Sequence, residues 1–270
     1  MNNPKGNIAL LTTVANFELY KYTSGYFPKD IPLYVIDGRN GMHGIHSIFF
    51  MFETLKDRYI EWLIMADEDV IFQNEEEVFK LINFMKDNDY SVCGVRDGGE
   101  VAHRDKNPYA INTFFSVINF KKIQDYYNKK EILKNQYILE NEFEDNLSIL
   151  KYSFDSKSLF EPYYCFYFWL RRRGEKILFL PSSMKSDPKD QITNEVYNFN
   201  GKLILNHTWY ARSYGNNEKH TNRINNILEQ ENLSSTEERI SIIFKDKNYE
   251  IRYKFKKIIK RILVKLLHKK

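Results

Sequence analysis

Three short apolar runs, each closing on polar side chains, constrain this chain more than anything else in it. Residues 7–14 (NIALLTTV) end on hydroxyls and residues 32–38 (PLYVIDG) end on Asp37, with Gly38 to turn the chain. Residues 61–66 (EWLIMA) lead into Asp67, Glu68 and Asp69. Apolar runs without polar alternation read as strands buried on both faces, the pattern of a parallel sheet covered by helices. Such a sheet gathers its strand ends along one edge, where open α/β folds carry a ligand crevice.

The intervening patterns fit helices. Residues 45–58 are apolar on one face at helical spacing, and a helix is expected to start near Asn74, with Glu75, Glu76 and Glu77 in its first turn as capping and solvated surface groups. Strands are expected over 91–95, 112–119 and 176–180, and helices over 121–134 and 161–173 with Gly174 as C-cap. Residues 135–160 lack a clear period and read as an insertion or an acceptor-side loop. The expected division is a domain over 1–245 and a tail over 246–270.

The net charge of +4 hides a division. The last twenty residues hold nine Lys and Arg and no acid, leaving 31 basic against 36 acidic residues over the first 250. A mildly acidic body argues against a nucleic-acid footprint across the fold. On a helix, Ile251, Phe255, Ile258, Ile259, Ile262 and Leu266 fall on one side, and Lys254, Lys256, Lys257, Lys260, Arg261 and Lys265 take most of the rest. This is either a basic amphipathic helix for an anionic membrane surface or a terminal helix docked on the body. Cys93 and Cys165 lie far apart in apolar runs, as buried reduced thiols do. No run approaches the ~20 apolar residues of a membrane span. A cytoplasmic protein, peripherally held at the inner face of the membrane, is the expectation.

The acidic triplet carries the chemistry. On an extended backbone Asp67 and Asp69 share a face and can converge on one hard cation, while Glu68 faces away. Such a cation would neutralise a diphosphate and stabilise it as a leaving group.

A strand, an Asp-x-Asp and a following helix resemble the metal and donor site of GT-A glycosyltransferases. The resemblance covers about residues 7–212. It implies an α/β fold with a Rossmann-like mixed sheet flanked by helices, a nucleotide diphosphate sugar (a UDP-sugar first) as donor, and Mn2+ or Mg2+ as metal. It further implies a hexosyl transfer to a glycan or lipid-linked acceptor, as in envelope or capsular polysaccharide synthesis. By the same resemblance Thr12, Thr13 and Val14 match the strand end that holds the nucleobase, and Asp37 matches the acid offered to base or ribose. The threonines read equally as strand-end turn formers. His207, after the apolar residues 203–205, matches a late metal ligand, and Arg212 matches a diphosphate contact. Without the triplet, His207 would read as a core histidine beside Trp209.

Glycosyl transfer also needs a base for the acceptor hydroxyl or a group that stabilises an oxocarbenium-like centre. Glu161 and Asp155 are the candidates, although Glu161 before Pro162 also fits a helix-start acid. Asp97, His103 and Arg104 lie on a loop suited either to donor-sugar contacts or to solvent. The competing functions are a nucleotidyltransferase or phosphohydrolase on a related sheet, and an inactive membrane-bound adaptor. Residues 38–44 (GRNGMHG) fit neither common Gly-rich phosphate loop.

Overall fold

The computed structural model describes residues 7–187, 189–230, 239–255 and 258–259. The chain is mixed α/β, as expected, with a seven-stranded sheet flanked by helices and a smaller four-stranded sheet beside it.

The three apolar runs form β1 (Ile8–Val14), β2 (Leu33–Asp37) and β3 (Trp62–Asp67). β1 sits between the other two and is parallel to both. Helices α1 (Phe17–Thr23) and α2 (Ile45–Leu55) connect them. α2 buries Ile45, Ile48, Phe49, Met51, Phe52 and Leu55, and the Phe52 ring stacks 5.3 Å from Phe120. Because the chain runs from β1 to β2 on one side and then crosses to β3 on the other, the strand order reverses at β1. The carboxyl ends of β1 and β3 therefore flank the crevice that such a reversal opens.

β3 does not continue through the acidic triplet. The backbone turns at Glu68 and Asp69 and enters β4 (Val70–Phe72), the first strand of the smaller sheet. The same-face argument for an extended 67–69 is thus corrected: a turn between two sheets sets the geometry. α3 (Glu75–Asp87) follows, capped by Asn74, whose side chain accepts from the Glu77 N–H at 3.3 Å. Glu77 is not solvated surface. It is 1% exposed and accepts from both the Asn198 and Asn200 side chains and from Lys80.

β5 (Tyr90–Arg96) and β6 (Ile111–Asn119) extend the large sheet as an antiparallel pair, with β6 against β3. The helix expected over 121–134 is two, α4 (Phe120–Tyr126) and α5 (Lys129–Leu133), because Asn128 breaks the first and caps the second. α6 (Tyr164–Arg172) starts after Pro162 and is buried from Tyr164 through Leu170. Gly174 ends it at φ 80°, a left-handed position that suits glycine. Residues 135–160 contain one 3-10 turn and are tied down by charge: Asp145 pairs with Arg96 and Arg171, and Glu142 pairs with Arg172.

β7 (Lys176–Phe179) joins the large sheet beside β5. β8 (Ser182–Met184), β9 (Asn194–Tyr197) and β10 (Leu203–His207) complete the smaller sheet, with β10 against β4. α7 (Glu218–Gln230) follows. β11 (Ile242–Phe244) returns to pair in parallel with β2. Both cysteines are free and buried, and burial pushes each thiol up to about 12.

Candidate active site

A cleft of about 430 Å³ opens over the carboxyl ends of β1 and β3, and it is lined by Thr13, Asp67, Glu68, Asp69, Arg104, Glu161, His207 and Arg212 among others. Residues spread over two hundred positions meet there because two sheets share the β3–β4 junction. Register explains the histidine. His207 pairs with Val70, the residue after Asp69, so its ring arrives beside the triplet with Nε2 at 3.3 Å from Asp69 Oδ1. The Thr208 N–H and hydroxyl both donate to the Asp69 carbonyl, at 3.0 and 3.1 Å, and lock the two segments together.

Three acids crowd the turn. Burial, then the charges of Asp69 and Glu68, push the Asp67 carboxyl well above its ordinary range, and Arg212 opposes this. Glu68 is 4% exposed and is pushed up to about 7, first by burial and then by Asp69. Its role was not legible in the sequence. Its Oε1 accepts from the N–H groups of Ala15 and Asn16 at 2.9 Å each, which fixes the loop after β1.

The donor set suits a hard dication. Mutual repulsion of buried carboxylates is what a cation relieves, and the buried His207 Nδ1 has no hydrogen-bond partner among the described residues. Among the described residues no three His, Cys, Asp or Glu side chains form a ready cage. Mg2+-like ions take one or two carboxylates and complete their shell with waters and substrate phosphates. The His207 ring is itself held, stacked 4.0 Å from Phe114 and 4.3 Å from Trp209.

Asn16 joins the first strand end to the late segment. Its side-chain oxygen caps α1 by accepting from Glu18 and Leu19, and its amide donates to the carbonyls of Ala211 and Tyr214 at 2.9 Å. Arg212 projects from this turn. It is exposed, lines the cleft, and also lines a neighbouring recess of about 560 Å³ together with Phe17, Gly38, Arg39 and His43. Trp209 and Tyr210 stand at φ 60° and 63°, a left-handed conformation that costs an ordinary residue about 1–2 kcal/mol. Arg223 offsets it by donating to the carbonyls of Thr208 and Trp209.

The part of the cleft lined by Arg104 and Glu161 is built around Asp97, which is fully buried. Its carboxylate accepts from Arg104 Nε at 2.6 Å, from Arg104 Nη2 and Tyr163 at 2.9 and 3.0 Å, and from Asn112 and Tyr164. Asp97 therefore supports the site without facing it. Arg104, oriented by this knot, reaches Glu161 Oε1 at 2.8 Å, so the Glu161 carboxylate stands in the cleft and does not cap α6. His103 lies edge-on to Trp209, and burial first, then His207, lowers it to about 4.

Several expected residues lie elsewhere. Asp155 is exposed and closes a turn by accepting from the Lys157 N–H. Thr12 and Val14 point to the face of β1 opposite Thr13, and both are completely buried. Asp37 lies behind Gly38, 2% exposed and paired with Arg39 and Lys245.

No family model matches the chain, and no curated protein matches it in sequence. Among solved structures it is similar to the mannosyltransferase PcManGT from Pyrobaculum calidifontis in complex with GDP-Man and Mn2+, at 7% identity and TM-score 0.29, covering 44% of this chain and 46% of that one. It is similar to A197 from STIV at 11% identity and TM-score 0.38, covering 74% and 93%. Mouse xyloside xylosyltransferase 1 follows at 11% and 0.36, covering 64% and 84%. The chain thus spans under half the length of the first of these. Likenesses this distant assign no family and no activity, and the chemistry has to be argued from the cleft.

Proposed function

We propose that this chain is a glycosyltransferase of the GT-A kind that moves a sugar from a nucleoside diphosphate to an acceptor hydroxyl. One observation carries the reading: Asp67, Asp69 and His207 meet at a strand-order reversal, in a cleft that Arg212 and Glu161 also line. A divalent ion, Mn2+ or Mg2+, would neutralise the diphosphate as leaving group, held by Asp69 and Asp67 with His207 beside them. Arg212 would bind phosphate oxygens in its fork. The recess by Phe17 and Arg39 would take the nucleoside, and the Arg104–Glu161 wall would take the sugar and the acceptor. Glu161 would accept the proton of the acceptor hydroxyl, oriented by Arg104. A UDP-sugar donor, a hexosyl group and a glycan or lipid-linked acceptor complete the proposal.

A melting-temperature panel of UDP- and GDP-sugars, with and without manganese, tests it. A ligand at one hundred times its Kd adds about 2.7 kcal/mol, so the true donor should raise Tm by roughly 5–10 °C and only with metal. If no nucleotide shifts Tm under either condition, the reading fails.

The membrane reading rests on the tail. The chain is helical at 249–255 and at 258–259, where Ile251, Phe255, Ile258 and Ile259 are 41–70% exposed. Ile262, Leu266, Lys256, Lys257, Lys260, Arg261 and Lys265 lie outside the described residues. No described helix is long and apolar enough to cross a membrane. Arg252 and Lys254 beside the exposed apolar row pair with Asp246 and Glu250, so the proposed attraction to an anionic bilayer surface rests on that row and on the acid-free sequence that follows it. Deleting residues 251–270 should abolish sedimentation with phosphatidylserine vesicles, and salt should weaken binding of the full chain. Transfer to a soluble acceptor should survive. Unchanged vesicle binding by the truncated chain would refute the assignment.

A further inference from the structure

The late segment 242–249 packs behind the loop that lines the nucleotide-side recess. β11 pairs Ile242, Ile243 and Phe244 with Tyr34, Val35 and Ile36, which carries Lys245 to the level of Asp37. Lys245 Nζ lies 3.1 Å from Asp37 Oδ2. The Asn40 side-chain amide donates to the Asp246 carbonyl at 2.9 Å, and buried Tyr249 lies against Gly41. The loop from Asp37 to His43 is therefore gripped from outside by a strand two hundred residues away.

Asp37 is the centre of this grip. Its Oδ1 accepts from the Arg39 N–H at 3.2 Å and from Arg39 Nε at 2.9 Å, and its Oδ2 accepts from Arg39 Nη2 at 2.7 Å. The guanidinium so fixed lies 4.4 Å over the Phe17 ring. Arg39 and Phe17 both line the recess. First the Arg39 side chain, and then, against burial, Lys245, hold the Asp37 carboxyl well below the usual carboxylate range.

We infer that Lys245 is a positioning residue for nucleotide binding: it fixes Asp37, and through it the Arg39–Phe17 wall. The inference rests on the nucleoside-diphosphate reading above. Lys245 is half exposed while its partner is 2% exposed, so the pair is not an ordinary surface ion pair. Loss of the ammonium leaves one of two buried carboxylate oxygens with a single donor and frees the loop to shift, so the cost falls on the recess that the loop lines.

The test is titration of UDP and GDP with manganese into the wild type and the variants Lys245→Met, Lys245→Gln and Lys245→Arg. Lys245→Met should raise the nucleoside-diphosphate Kd roughly tenfold, with KM rising and kcat nearly unchanged, and Lys245→Arg should restore most of it. Lys245→Gln, which keeps a donor without the charge, should fall between and guards against a Met variant that folds poorly. Amide exchange over residues 38–43 should speed up in the Met and Gln variants. If the wild type binds neither nucleotide, the underlying functional reading fails. If the wild type binds and both neutral variants bind equally well, or only Tm falls, Lys245 is a structural ion pair and the inference is overturned.

Discussion

Asp69→Asn is expected to abolish manganese-dependent nucleotide binding and to lower kcat/KM roughly 10³-fold, since a metal at a diphosphate supplies several kcal/mol of charge stabilisation. The substitution is nearly isosteric. The contacts of Thr208 with this residue run through the Asp69 carbonyl, so the β4–β10 junction should survive the loss of the carboxylate charge. Glu68→Gln is expected to stay within about tenfold of wild type, because a glutamine oxygen can still accept from the N–H groups of Ala15 and Asn16. Binding isotherms for manganese and UDP on both variants, with melting curves alongside, separate the two roles. Equal loss in both would show that the triplet acts as one undivided acidic patch, and the assignment of the ion to Asp69 would be wrong.

This pair of variants marks how far the sequence could be read. The apolar runs named β1, β2 and β3 and their shared carboxyl edge correctly, because burial on both faces leaves a local signature. Asp67 and Asp69 could be singled out from residue type and strand-end placement, and His207 through the resemblance to GT-A enzymes. Their meeting could not be derived, because it depends on β4 pairing with β10, and three-residue β4 has no period of its own to read. The place of Glu68 is hidden from the sequence for the same reason. An extended backbone would turn it away, whereas the turn at 68–69 folds it onto the loop after β1. Asn16 did leave a signal, an Asn directly before a helix, but capping is all that such a signal promises. Its second task, holding the Arg212 turn, requires a partner 195 residues away. Asp97, Tyr163 and Lys245 belong to the same class: their chemistry is ordinary, and only tertiary register makes it matter.

The choice between Glu161 and Asp155 is decided by a different pair of variants. Both precede α6, and in sequence Glu161 is the first candidate and Asp155 the runner-up. In the fold Glu161 stands in the cleft at 2.8 Å from Arg104 Nη2, while Asp155 is exposed and spends an oxygen on the Lys157 N–H. Glu161→Gln should therefore lower kcat about 10²–10⁴-fold, the usual range for removing a general base, with nucleoside-diphosphate Kd unchanged because the recess proposed for the nucleoside is lined by Phe17 and Arg39 and not by Glu161. A glutamine oxygen can still accept from Arg104, so the Asp97 knot and the melting temperature should hold. Asp155→Asn should leave both kcat and Kd within about twofold, as surface turn substitutions do. Transfer assays with the donor found by the Tm panel, run beside nucleotide titrations, give the two readouts separately. A large kcat loss in Asp155→Asn, or a Glu161→Gln variant that weakens the nucleotide and leaves kcat intact, would move the base elsewhere and make the Arg104–Glu161 pair a donor-binding element.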